Sequence, residues 1–236
     1  MVLRVSRQSS GRPEIFHSLQ GEGANIGTAT VFLRLAQCNL ACSWCDTKYT
    51  WDWGNYRYED EVMTLPVEEV QEAVLAYNCP HLVITGGEPL LQQRELAPLA
   101  AALKQSGFFC EVETNGTILP GPELQANIDQ WNVSPKLANS GNSLARRTIP
   151  AVLEGFARLP NAFFKFVVVS SEDLAEVCAL RDRFNIPPDR IILMPEGRSY
   201  ETLRDRSPWI SDACVKEGFR FSTRLHILLW ADQRGR

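Results

Sequence analysis

With 236 residues, 44% of them hydrophobic and 22% charged, the chain can bury the core of one sizeable domain, and disorder is excluded as its main state. A net charge of −4 argues against non-specific nucleic-acid binding, which a basic surface serves, and favours a small-molecule substrate. No apolar run approaches the ~20 residues a membrane-spanning helix needs, and Met1-Val2-Leu3-Arg4-Val5-Ser6-Arg7 lacks the apolar stretch of a secretory signal, so the expectation is a cytoplasmic protein of one domain, 1–236.

In chain order, residues 31–35 read as a strand, and a loop rich in cysteine and aromatic residues follows, from Cys38 to about Asp60. Pro66 opens a helix at its first turn, with Val67, Val70 and Val74 on one face. Residues 81–85 form a second strand that ends in Gly86-Gly87. Leu96, Leu99, Ala100 and Leu103 mark the next helix, stopped at Gly107. Residues 109–113 are strand-like and turn at Thr114-Asn115-Gly116, and residues 128–134 make a short strand halted by Pro135. A helix over about 149–158 precedes a buried-type strand, 163–169, which contains Lys165. A stripe of Leu174, Val177, Leu180 and Phe184, a strand over 191–194 and a last helix before Arg220 complete the series.

This alternation implies an α/β fold with a mostly parallel sheet and right-handed crossovers. An eight-fold barrel typically takes ~250 residues. This chain is shorter and spends many residues on loops, so an incomplete TIM-like barrel of about six parallel strands is expected. Chemistry in such folds sits at the carboxyl ends of the strands. The cysteine loop, Gly86-Gly87, Asn115-Gly116 and Ser134-Pro135-Lys136 would then gather at one rim.

Seven cysteines, an odd number, argue against a disulfide framework. Three of them, Cys38, Cys42 and Cys45, are spaced x3 then x2. Thiolates are soft ligands that suit zinc, copper(I) and iron–sulfur clusters. A structural zinc site wants four ligands, and neither a second CxxC nor a finger-like histidine spacing is present. Three thiolates without a fourth would leave one iron of a [4Fe–4S] cluster open to a substrate. Buried cysteines, or a zinc site completed from afar, remain the plainer alternatives.

The triplet, with Trp44 before its last cysteine, resembles the signature of the radical S-adenosylmethionine (SAM) superfamily, and Gly86-Gly87-Glu88-Pro89 resembles that superfamily's GGEP motif. The resemblance implies that the open iron chelates SAM and that one electron cleaves it to a 5′-deoxyadenosyl radical. Further runs are similar to the 7-carboxy-7-deazaguanine synthase family: residues 14–23, 32–35, 44–51, 83–89, 113–116, 134–136 and 225–230. That family is a lyase of 7-deazapurine and queuosine biosynthesis. It converts 6-carboxy-5,6,7,8-tetrahydropterin to 7-carboxy-7-deazaguanine with loss of ammonia, requires Mg2+, uses SAM catalytically and is a homodimer. Its electron donor would be a protein such as flavodoxin or ferredoxin.

Residue roles follow from the same resemblance. Cys38, Cys42 and Cys45 hold the cluster and Thr47 the Mg2+. Trp44, Cys45, Asp46, Gly87, Ser134, Pro135 and Lys136 contact SAM, and Met194-Pro195-Glu196-Gly197 joins them. Leu19, Gln20, Gly21, Arg34, Thr85, Glu113 and His226 contact the pterin. Some of these roles have a bland counterpart. Thr47 could cap a turn, His226 could be structural, and the Leu19-Gln20-Gly21 turn could be a plain loop. Arg34 interrupts an apolar strand, where an unpaired guanidinium is costly, so it needs an anion. The substrate carboxylate is favoured over a nearby Asp or Glu. Trp51, Trp53, Tyr56 and Tyr58 could shield the cluster or form a packing, reductase or dimer surface. Some relatives end soon after the barrel and place their terminal carboxylate on the substrate. Here the chain runs on to Arg236, so that contact is not carried over, and Arg234 and Arg236 read as a solvated tail. A glycyl-radical activating enzyme, which acts on a protein, and a zinc-stabilised binding module are the alternative functions.

Overall fold

The computed structural model describes residues 1–235. Two strands open the chain, β1 (Val2–Ser6) and β2 (Ile15–Leu19), followed by β3 (Ala29–Leu35), a short helix α1 (Tyr58–Glu61), β4 (Val62–Pro66) and α2 (Val67–Leu75). Strand and helix then alternate through β5 (His81–Gly86), α3 (Gln93–Gln105), β6 (Phe109–Thr114), α4 (Pro122–Gln125) and β7 (Gln130–Val133). After α5 (Leu144–Arg147) and α6 (Pro150–Arg158) come β8 (Ala162–Val168), α7 (Ser171–Phe184), β9 (Ile191–Pro195), α8 (Tyr200–Glu217), β10 (Arg220–Phe221) and α9 (Leu225–Trp230).

All ten strands join one sheet in the order β10-β9-β8-β7-β6-β5-β3-β1-β4, with β2 added to β3. From β3 through β10 the neighbours run parallel, and β1, β2 and β4 are antiparallel additions. The order ends on two edges instead of closing, which is the expected incomplete barrel. Six full parallel strands are present, and β10 adds a seventh of two residues.

The helices bury the stripes that predict them. Val67, Val70 and Val74 of α2 are covered, as are Leu96, Leu99, Ala100 and Leu103 of α3. Pro66 stands one residue outside its helix, as cap. Strands β1, β2, β4 and β10 and helix α9 lie outside the elements read from sequence. The first three are held by pairing that no local pattern reveals: Val2 faces Pro66, and Leu3 faces Leu65.

A period of two divides the sheet's faces. Val31, Leu33, Leu35, Leu82, Ile84, Cys110, Val112, Trp131 and Val133 pack outward against the helices in one continuous core. The alternate positions point inward, and register aligns them in rows. Phe32, Val83, Glu111 and Gln130 form one row; Arg34, Thr85, Glu113 and Asn132 form the next, nearer the carboxyl ends. Phe16 stacks on Phe32 at 5.0 Å between ring centroids, so the inner face has a small apolar patch of its own with Val83.

Candidate active site

A cavity of about 400 Å3 opens above the second inward row. Its lining takes in Cys38, Cys42 and Cys45, together with Trp44, Asp46 and Thr47 of the same loop. The loop is held against the end of β5 by backbone contact: Gly87 N donates to Leu35 O at 3.0 Å, and Glu88 N to Gln37 O at 2.8 Å. Gly86 and Gly87 permit this approach. A Cβ on Gly86 would meet Leu35 O at 2.0 Å, and one on Gly87 would meet Gln37 O at 2.1 Å. Glu88 is fully buried and accepts from Leu90 N, Asn115 N and Thr114 Oγ1 at 2.7–2.9 Å, which ties the ends of β5 and β6 together.

The residues expected on the pterin converge. Leu19, Gln20, Gly21, Arg34, Thr85, Glu113 and His226 all line the cavity. Glu113 accepts from Thr85 Oγ1 at 2.7 Å and from Gln20 Nε2 at 3.2 Å, so three of them form one hydrogen-bonded unit. Gly21 is in contact with the His226 ring: a Cβ there would lie 2.2 Å from Nδ1. Burial pushes the His226 imidazole's pKa down, against the pull of Glu22, and favours its neutral form.

Arg34 has a protein partner. A protein carboxylate does meet it: Nε donates to Glu14 Oε1 at 2.9 Å. The antiparallel register explains the pair, because Ile15 faces Leu33 and Glu14 therefore stands opposite Arg34. Only Nε is engaged among the described residues, and Arg34 lines the cavity. Glu14 is completely buried and also accepts from Tyr49 Oη at 3.0 Å and from Arg234.

Arg234 is thus no solvated tail. It donates to Glu14 and to Glu61 at 3.0 Å, and its guanidinium lies 3.5 Å from the centre of the Tyr49 ring. Residues 232–235 line the cavity rim, while Arg236 lies outside the described residues. Thr47 precedes a short helical turn yet makes no side-chain cap bond; it lines the cavity, with its hydroxyl 3.6 Å from Cys45 Sγ.

Ser134 and Lys136 line the cavity and Pro135 does not. The Lys136 ammonium donates to Ser134 O and Oγ at 2.9 and 2.8 Å and makes no ion pair among the described residues. Met194 and Glu196 line the cavity, and Glu196 is engaged by Arg206. Pro195 closes β9 outside the lining, and Gly197 offers its carbonyl to Arg224.

Sequence reasoning missed a charge quartet. Glu22 pairs with Lys165 and with Arg224 (2.9 Å), and Arg224 also pairs with Asp46. Burial alone would raise the Glu22 pKa, but Lys165, Arg224 and His226 outweigh it and hold the carboxyl well below its usual range. Asp46 is likewise held low by Arg224 in spite of burial. A lysine inside the apolar run of β8 was the available signal for Lys165.

The profile of the Radical SAM superfamily matches residues 34–170. A 7-carboxy-7-deazaguanine synthase from Pyrobaculum aerophilum is 43% identical over 226 residues, 94% of this chain and 96% of the relative. The chain belongs to the 7-carboxy-7-deazaguanine synthase family of radical SAM enzymes. The Halobacterium salinarum synthase is 34% identical over 241 residues, covering 93% of this chain and 90% of its own. The crystal structure of QueE from Escherichia coli matches with a TM-score of 0.72 and 27% identity over 96% of this chain and 95% of that one.

Membership in the radical SAM superfamily brings a [4Fe–4S] cluster and SAM, and the donor set fits them. The three thiols are free and face one cavity. Among the described residues no three His, Cys, Asp or Glu side chains converge closely enough to hold one metal ion. A cluster takes each thiolate on a different iron. Burial pushes the Cys38 thiol up to about 12 and raises Cys42 as well, so loading the metal must release protons.

Proposed function

We propose that this protein is a radical SAM lyase that converts 6-carboxy-5,6,7,8-tetrahydropterin to 7-carboxy-7-deazaguanine and ammonia by radical ring contraction, in 7-deazapurine and queuosine biosynthesis. One observation carries the reading: the three thiols and the Gln20–Glu113–Thr85 unit share one cavity at the carboxyl ends of the parallel strands. When bound, the cluster and SAM supply the hydrogen-abstracting radical.

The chain's own residues bind and orient. Cys38, Cys42 and Cys45 hold the cluster. Lys136, which makes no ion pair among the described residues, offers its charge to the SAM carboxylate. Trp44, Asp46, Gly87 and Ser134 line the same side, and Met194 and Glu196 extend it. Glu113 accepts from the N–H edge of the pterin, with Gln20 and Thr85 holding it in place and Leu19, Gly21 and His226 closing the far side. The outer nitrogens of Arg34 and the Thr47 hydroxyl face the substrate carboxylate, where Mg2+ would take Thr47, that carboxylate and waters. A flavodoxin or ferredoxin donor and a homodimeric assembly rest on the family resemblance, and a cytoplasmic location on the sequence expectation alone. No helix among the described residues is long and apolar enough to cross a membrane.

The test is anaerobic turnover of reconstituted protein with SAM, reductant, Mg2+ and the carboxytetrahydropterin, read by mass spectrometry. Formation of 7-carboxy-7-deazaguanine, absent in Cys42→Ala, is expected. 5′-Deoxyadenosine without that product would overturn the substrate assignment and leave the radical machinery standing.

A further inference from the structure

Two side-chain N–H groups are aimed at the cysteine triplet. Asn142 Nδ2 lies 3.3 Å from Cys42 Sγ, and Trp51 Nε1 lies 3.3 Å from Cys45 Sγ. A third, Asn115 Nδ2, stands at 3.9 Å from Cys38 Sγ. Asn142 is 100 residues from its cysteine, so the fold and not the local chain brings the pair together.

We propose that Asn142 and Trp51 are positioning residues for the cluster: their N–H groups donate to the Cys42 and Cys45 thiolate sulfurs, fix those sulfurs, and raise the cluster's reduction potential. The proposal rests on the family reading, which places the cluster on these thiolates.

Both donors are held ready. Asn142 Oδ1 accepts from Ala41 N at 3.0 Å, and its Nδ2 also reaches Ser140 Oγ at 3.2 Å. The Ala41 N–H needs an acceptor, so this network sets the amide's orientation with nitrogen toward sulfur. Trp51 Nε1 is a donor only, and no flip can reverse it. Asn142 and Cys42 are both buried, where a hydrogen bond to a charged sulfur is stronger than in water. A cluster that gains one electron places more negative charge on its thiolates. Fixed donors therefore favour the reduced form over the oxidised one. That matters for a centre that must accept an electron from an external one-electron donor.

The experiment uses full-length protein reconstituted anaerobically, without SAM, titrated with dithionite and mediators and followed by electron paramagnetic resonance. Asn142→Leu and Trp51→Phe remove one donor each. At the wild-type midpoint potential the reduced-to-oxidised ratio of the double variant should fall about tenfold, a negative shift of about 59 mV for one electron, with each single variant contributing part. Variants that carry four irons and four sulfides and keep the wild-type potential overturn the proposal. If Asn142→Leu loses the native circular dichroism spectrum, Trp51→Phe decides alone: a lowered potential supports the proposal and an unchanged one overturns it. Wild-type protein that takes up zinc and no sulfide overturns the proposal together with the family reading, and that outcome is recognisable before any variant is made.

Discussion

Arg224→Met removes the charge that joins three parts of the rim and leaves the apolar stem in place. The guanidinium is 9% exposed and donates to Glu22 Oε1 (2.9 Å), to Gly197 O (2.8 Å) and to Asp46. With Lys165 and Arg224 against Glu22 and Asp46, the quartet balances two positive and two negative charges. Methionine leaves it one negative charge in excess. Removing one partner of a buried pair costs about 3–5 kcal/mol. Glu22 keeps Lys165, and Asp46 is 34% exposed, so the lower part of that range applies. Gly197 O adds about 1 kcal/mol for its lost donor. The sum, about 3–4 kcal/mol, is a large fraction of the ~5–15 kcal/mol that stabilises a domain. In urea unfolding of the apo-protein at pH 7 the midpoint should fall by about 1–2 M at an m-value of about 2–3 kcal/mol/M. The sign with pH is fixed by the carboxylates. Glu22 and Asp46 are held below their ordinary values of 4.5 and 3.8, so their contribution is complete above those values and is lost as pH falls through the lowered ones. The variant's deficit should therefore hold from pH 7 down to about 4.5 and shrink only as pH falls further. Adding Asp46→Asn restores the balance and should recover part of the loss. A deficit below about 1 kcal/mol, or a double variant less stable than Arg224→Met, would refute the charge-balance argument.

Gly87→Ala drives a Cβ to 2.1 Å from Gln37 O, so the β5 end and the cysteine loop must part; cluster retention after gel filtration should fall several-fold, and full iron content would contradict this. Gly21→Ala meets the His226 ring at 2.2 Å; it should destabilise by roughly 1–3 kcal/mol as overpacking does, and His226→Ala in the same chain should restore most of the loss, measured by urea midpoints. Arg234→Ala removes the contacts to Glu14, Glu61 and Tyr49; amide exchange over residues 231–235 should speed at least tenfold, and unchanged protection would show the segment is held by other means.

The parts of this protein that were legible in its sequence are local. Cys38, Cys42 and Cys45 lie within eight residues, Gly86-Gly87 are adjacent, and each helix stripe repeats within one element. The parts that were not legible are pairings across the chain. Arg224 and Asp46 stand 178 residues apart, Lys165 and Glu22 143, and nothing near any of them announces the other. Arg34 lies between the two cases. Its interruption of an apolar strand correctly signals a need for an anion, but its partner Glu14 precedes β2, a strand invisible without its neighbour β3. Arg234 was misread for the same reason: a charged residue near the chain's end resembles a solvated one until the Tyr49 face and Glu14 are placed beside it.

The two inward rows divide stability from binding. Strands of a parallel sheet buried on both faces are ordinarily continuous apolar runs. Here polar residues occupy the inner positions and must be satisfied there. In the deeper row Glu111 takes amide N–H groups from Gln20, Asn25, Gln130 and Asn132 at 2.9–3.1 Å, and nothing is left over for a ligand. Near the rim, Lys136, the outer nitrogens of Arg34 and the Thr47 hydroxyl still have bonding capacity. Glu111→Gln would set an amide nitrogen against amide donors, leaving at least one of them buried and unpaired, at about 1–3 kcal/mol. It should lower the urea midpoint and leave SAM affinity of the folded, cluster-loaded protein unchanged. Lys136→Ala should do the reverse, with wild-type stability and SAM binding weaker by about tenfold or more in calorimetric titration. If Glu111→Gln weakened SAM binding as strongly as Lys136→Ala, the rows would be coupled, and polar satisfaction would not explain why ligand chemistry gathers at the carboxyl ends.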